Sequence, residues 1–187
     1  PTNAMNRLLL LLLLLLAAVS LSLGQTFEFS AMRGASRMDQ APLGSTDLTT
    51  PDDEDTRFDR SATSTGFRLT LNTKGYYGHE LGYTKTDVTV RSKIPYSDGS
   101  KVLSEGEAHI HQYSYNFLAY FMPRGERWRP YFTLGVHMHK HTDPKINGWN
   151  GHPTRNYGFN YGAGIKIRLF SHILARAEIR DCLTGKP

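Results

Sequence analysis

Apolar and polar residues alternate with a period of two along most of this chain, and no helical repeat competes with that pattern after residue 24. The clearest run is Asn156 to Leu169. Tyr157, Phe159, Tyr161, Ala163, Ile165, Ile167 and Leu169 fall on one face, and Asn156, Gly158, Asn160, Gly162, Gly164, Lys166 and Arg168 on the other. Ile173, Ala175, Ala177 and Ile179 oppose Arg176, Glu178 and Arg180 in the same way. Phe67 to Leu71, Tyr113 to Phe121 and Phe132 to Met138 add three more alternating runs, and Phe27 to Arg37 and Tyr76 to Val90 add two less regular ones. Strict alternation bounded by turn residues predicts strands, so seven are expected. Several run to ~10 residues or more, the length a tilted strand needs to cross a bilayer core. Connections alternate in length too. Short turns are expected at Lys74-Gly75, Pro123 to Arg129 and Phe170-Ser171. Long polar loops are expected at about 38–62, for about 17 residues after Val90, and at about 142–155, with Ala41 to Asp55, Pro95 to Ser100 and Thr142 to Pro153 as their turn-rich cores.

The start of the chain has a different pattern. Met5-Asn6-Arg7 precedes nine leucines, Leu8 to Leu16, followed by Ala17 to Gly24 with small residues at Ser22 and Gly24. One positive charge, an apolar core and a small-residue cleavage site predict a secretory signal peptide over residues 5–24, leaving 25–187 as one exported domain. The unbroken apolar run from Leu8 to Val19 is short for a membrane-spanning helix.

What decides the class of protein is which face of the strands meets what. The apolar face carries aromatics near the strand ends: Tyr77, Tyr83, Tyr113, Phe121, Phe132, Tyr157 and Phe159. The opposite face carries Glu28, Arg68, Glu80, Lys166, Arg168, Arg176, Glu178 and Arg180, interleaved with Gly78, Gly82, Gly135, Gly158, Gly162 and Gly164. Small residues beside long ionic ones suit a crowded barrel interior, whereas a solvated face has no need of them. A midplane arginine turned toward lipid would cost ~2–4 kcal/mol. The expectation is therefore an all-β, antiparallel up-and-down transmembrane barrel with apolar residues outward and charges inward. Gln112, Ser114, Asn116 and Asn160 are expected to fill the gaps between the ions.

Other features add little chemistry. The formal net charge of +5 over 187 residues is modest and does not imply a nucleic-acid partner. A single cysteine, Cys182, allows no disulfide framework and is expected as an unpaired thiol near the rim. His137, His139 and His141 share one strand face, but the Phe121/Phe132 register puts His109 and His111 on the opposite one, so no metal site is expected. A His111/Ser114 dyad would need two residues three apart on one strand to meet, although they point to opposite faces. Asp52-Asp53-Glu54-Asp55 reads as a charged loop, and Trp128, in the Pro123 to Arg129 turn, as an interfacial anchor.

The segments "RPYFTLGVHMH" and "NYGFNYGAGIKIRL…ILARAEIRDCLTG", together with the alternating connections and the signal, resemble the OmpA-like eight-stranded outer-membrane β-barrels of Gram-negative bacteria. That resemblance implies short turns on the periplasmic side, long loops outside and a plugged or very narrow lumen. It also implies a monomer placed among outer-membrane lipid and lipopolysaccharide by the barrel-assembly machinery, with no cofactor. Such barrels have even strand numbers, so an eighth strand is expected beyond Asp181 to Pro187, which itself reads as an outer loop. The role expected is structural and surface-exposed, without catalysis. The alternatives are an envelope enzyme that modifies lipid A and a soluble exported barrel that holds a small ligand.

Overall fold

A computed structural model describes residues 26–39, 56–73, 75–95, 101–144, 146 and 155–184. The strands are β1 (Thr26–Arg37), β2 (Arg57–Phe58), β3 (Ser61–Asn72), β4 (Tyr77–Pro95), β5 (Lys101–Tyr120), β6 (Trp128–His141), β7 (Arg155–Arg168) and β8 (Leu174–Thr184). Seven long strands pair in the order β1-β3-β4-β5-β6-β7-β8, every neighbour antiparallel, and the two-residue β2 pairs with the far part of β4. The signal peptide over 5–24 and the acidic run Asp52 to Asp55 lie outside the described residues.

The sheet is rolled. Strands β4 and β8 are four steps apart in it, which in a flat sheet would separate them by about 19 Å. Yet Arg180 on β8 reaches Glu80 on β4 at 3.1 Å across the concave side. Two turns at one end need a glycine: Gly75 and Gly125 have φ of 109° and 113°, a region open mainly to residues without a Cβ.

Side chains divide between the two surfaces as the alternation demands. On the convex side Phe159 is 66% exposed and Ile179 85% exposed, with Phe29, Leu81, Phe132, Leu134 and Tyr157 also in the open. On the concave side Lys166 is 3% exposed and Glu80 is fully buried, along with Thr70, Asn72, Asn116 and Asn160. A soluble barrel has the reverse polarity, because burying apolar area is what stabilises it in water.

Near the long-loop end that polarity flips within single strands. Along β4 the convex positions run Tyr77, His79, Leu81, Tyr83 and then turn polar as Lys85, Asp87, Thr89 and Arg91. The concave positions change the other way, from Glu80 to Val88 and Val90. Val88, Val90, Ala62, Ala108, Ile110 and Ile146 form a small apolar core against which Met38 and Phe58 pack. Gly106 makes room for it, since a Cβ there would sit 2.4 Å from Cγ1 of Ile146. Outside this core, Arg91 pairs with Glu105 at 2.9 Å and with Asp59 at 3.4 Å, as on any water-facing surface.

Four sequence expectations are corrected. The loop after Val90 is much shorter than about 17 residues, because the alternation continues with inverted polarity to Pro95 and resumes at Lys101. Asp181 to Thr184 is strand rather than loop: Asp181 pairs with Tyr161 and Leu183 with Phe159, so the alternation carries on. Trp128 and Arg129 belong to β6 rather than to a turn, with Trp128 opposite Ile167 and exposed. The cores of the first and third long loops fall mostly outside the described residues, but Pro95 is the last residue of β4.

Placing a charge on the convex band should therefore be costly only in lipid. Ile179→Arg is expected to destabilise the chain by about 2–4 kcal/mol in phosphatidylcholine vesicles. Thr63→Arg, convex but beyond the band, should stay within about 0.5 kcal/mol. Urea unfolding followed by tryptophan fluorescence measures both.

Candidate functional site

The most organised chemistry among the described residues is the ion network on the concave side. It is assembled by strands far apart in sequence: Arg68 from β3, Glu80 from β4, and Arg176, Glu178 and Arg180 from β8. Glu178 forms ion pairs through Oε1 with Arg68 at 2.8 Å and with Arg180 at 3.0 Å. Arg176 donates to Glu80 and to Glu178, and Arg180 also donates to Glu80. Three guanidiniums thus share two carboxylates, and Thr70 adds a hydroxyl donor to Glu80 at 3.1 Å. Tyr131 donates to Glu178 at 2.6 Å and accepts from Arg176, whose guanidinium lies 4.8 Å from the ring centroid.

A second network joins β1, at one end of the sheet path, to β7, the strand next to the other end. Glu28 on β1 pairs with Lys166 on β7 and accepts from the Asn72 amide at 2.6 Å. Lys166 also donates to the Tyr120 hydroxyl at 2.9 Å, which in turn donates to Asn72 at 2.6 Å. Arg129 closes this end, its guanidinium 3.7 Å over the Tyr120 ring and donating to the Gly75 carbonyl at 3.4 Å.

Seven of the eight expected interior charges enter these networks. Arg168 does not: it is the last residue of β7, beyond the Lys166 level, and its backbone N–H meets the Arg127 carbonyl at 2.8 Å. Among the described residues its side chain forms no ion pair. Asn72 and Tyr131 lie on the face that alternation assigns to the interior, and Tyr120 and Arg129 are further interior members that it did not single out. Arg129 falls in the turn expected over Pro123 to Arg129, and Tyr120 passes for an apolar residue in a hydropathy pattern. The signal that finds them is register, because Tyr120 and Tyr131 are direct partners. The glycines do what a crowded interior requires. A Cβ on Gly164 would lie 2.4 Å from the Tyr131 hydroxyl, and one on Gly158 would lie 2.8 Å from the His137 ring.

The aromatic set falls on the convex side. Phe121 and Phe132 meet edge to face with centroids 5.2 Å apart, and Tyr83 packs on Phe67 and Tyr113. The histidines separate as expected. His111 is convex and bonded to the Tyr83 hydroxyl at 2.8 Å; His137 is buried on the concave side and bonded to Thr184 at 2.8 Å. Among the described residues no group of three or more His, Cys, Asp or Glu side chains is arranged to share a metal ion. Ser114 is concave, hydrogen-bonded by Asn116 at 3.3 Å, and so lies on the opposite face from His111. Cys182 is also concave and receives a long contact from Gln112 at 3.5 Å. Beyond the apolar band, the Lys85 ammonium, hydrogen-bonded to Asp87, holds that carboxyl below the usual carboxylate range.

With this polarity and topology in place, the family follows. The model of the outer membrane protein beta-barrel domain matches residues 9–186, and the chain belongs to that family. Neither the curated proteins nor the solved structures supply a match. The concave ionic networks and the convex aromatic and aliphatic face are thus features of an outer-membrane barrel protein.

Removing one partner from a buried ion network strands the rest, at a cost of about 3–5 kcal/mol. Glu80→Gln leaves three arginines with one carboxylate and should lower stability by about that amount. Glu107→Gln, on the exposed face, should stay within about 0.5 kcal/mol. Urea-unfolding midpoints of the refolded variants in one detergent provide the comparison.

Proposed function

We propose that the chain is a non-catalytic structural protein of the outer membrane, exported on the signal over residues 5–24 and inserted as a monomer by the barrel-assembly machinery. Lipid and lipopolysaccharide surround its convex face, the short turns face the periplasm and the long loops present a surface outside. The observation that carries the reading is the paired polarity of the sheet: Phe159 and Ile179 open to the surroundings while Glu80 and Lys166 are enclosed. The same polarity weighs against a soluble ligand-binding barrel, whose core would be apolar.

The lumen supports a supporting-wall role over a transport one. Its middle is crossed by ion pairs from β3 and β4 to β8, and its long-loop end is filled by the cluster around Val88 and Ile146. The placement of His111 and Ser114 on opposite faces weighs against lipid A chemistry by that pair.

Expression in a Gram-negative host with fractionation tests this directly. The full chain should appear in the detergent-extracted outer-membrane fraction, migrate faster on a gel unheated than boiled, and leave the mass of lipid A unchanged. Recovery in the soluble periplasm would overturn the membrane reading, and a new lipid A mass would replace the structural role with an enzymatic one.

A further inference from the structure

The convex face carries a feature that neither the barrel wall nor the lumen requires. On six strands the first polar residue beyond the apolar stretch, toward the long-loop end, falls on one continuous line of register partners. Arg33 pairs with Thr65, Thr65 with Lys85, Lys85 with His111, His111 with Lys140 and Lys140 with Arg155. The line one step nearer the apolar band reads Ala31, Phe67, Tyr83, Tyr113, Met138 and Tyr157. Four permanent cations and a histidine thus stand directly on an aromatic and aliphatic ledge, with no carboxylate in their line.

Direct cross-strand partners hold their side chains about 4.5–5.5 Å apart, and like charges so placed repel. Lys140 and Arg155 are such a pair, both exposed, and among the described residues neither forms an ion pair. Lys85 shares its charge with Asp87 at 3.1 Å, and His111 is oriented by Tyr83. The unbalanced end of the line is therefore Lys140 and Arg155. A bound anion turns their repulsion into two charge-assisted contacts, and arginine suits a phosphate by its planar fork. The level of the line identifies where that anion comes from. Below it Val136, Tyr157 and Phe159 are exposed as a surface for acyl chains, and above it the strands take on water-facing polarity. The groups at that boundary are lipid headgroups.

We propose that Lys140 and Arg155, flanked by His111 and Lys85, form a site for the phosphate of a phosphorylated lipid in the outer leaflet, whose acyl chains lie on Val136, Tyr157 and Phe159. This rests on the reading of the convex face as a lipid surface, and insertion into plain phosphatidylcholine vesicles is measured first so that the two can fail separately. A chain that does not insert removes both. A chain that inserts but has no preference for phosphorylated lipid overturns this inference alone.

The test uses the full chain refolded in an uncharged sugar detergent. Diphosphorylated lipid A, the same lipid with its phosphates removed, and inorganic phosphate are titrated, with bound lipid counted by native mass spectrometry. Wild type should retain the phosphorylated lipid and release the dephosphorylated one. Lys140→Gln and Arg155→Gln should each weaken retention roughly tenfold, as loss of a charge-assisted contact does. Arg91→Gln, further out and already paired with Glu105 and Asp59, should change nothing. Equal retention by wild type and the double variant overturns the proposal. So does binding of inorganic phosphate as tight as that of the lipid, which would make this a free-anion site. The salt dependence of wild-type retention needs no variant: it must fall as sodium chloride rises, and a flat response also refutes a phosphate contact.

Discussion

An extended strand sends successive side chains to opposite faces, so a sheet whose residues alternate between phenylalanine and arginine can satisfy both only if its two sides face different media. That constraint governs this molecule. Guanidiniums and carboxylates cannot be left in hydrocarbon, and two charges removed from water are stable only when they pair and their remaining donors and acceptors are met. Rolling the sheet satisfies both demands at once. It brings Arg68 and Glu80 from β3 and β4 against Arg176, Glu178 and Arg180 from β8, and leaves Phe159 and Ile179 on the outside. The glycines follow from the same crowding, since Tyr131 and His137 lie where a Cβ on Gly164 or Gly158 would be.

The constraint is local, and β4 shows it. Over Tyr77 to Tyr83 its convex side chains are apolar or aromatic apart from His79, whose ring bonds to the Tyr115 hydroxyl, and its concave side chains are glycine and glutamate; from Lys85 to Arg91 the convex side is polar or charged, and the concave side carries Val88 and Val90 between Thr86 and Ser92. One strand therefore carries two opposite polarities along its length, and the crossover marks the end of the convex apolar band more sharply than an average of hydropathy does. The line from Lys85 to Arg155 lies at that end. It is a boundary feature, and its cations have no place in either the lumen or the far apolar core.

The sequence shows most of this wherever one face is uniformly apolar. The run from Asn156 to Leu169 states its faces outright, and the assignment of Lys166, Arg176 and Glu178 to the interior and of Tyr157 and Phe159 to the exterior needs only parity. Parity alone is insufficient where polarity inverts. Val88 and Val90 look like an irregular end to a strand, so the length of β4 and β5 was not legible from hydropathy. Tyr120 is ambiguous for a related reason: it has an aromatic body and a hydroxyl, and only its pairing with Tyr131 places that hydroxyl inside, where it donates to Asn72. Arg168 shows the opposite failure. Its parity is right, but it lies one position past Lys166 on its face, where among the described residues its side chain forms no ion pair.

Nuclear Overhauser contacts between lipid acyl chains and isoleucine methyls, in nanodiscs containing the full chain, test the orientation of the sheet most directly. Ile179 and Ile173, exposed on the convex side, should show cross-peaks to acyl methylenes, and Ile110 and Ile146, buried in the concave cluster, should show none. Acyl contacts at Ile110 and Ile146 with none at Ile179 would contradict the account.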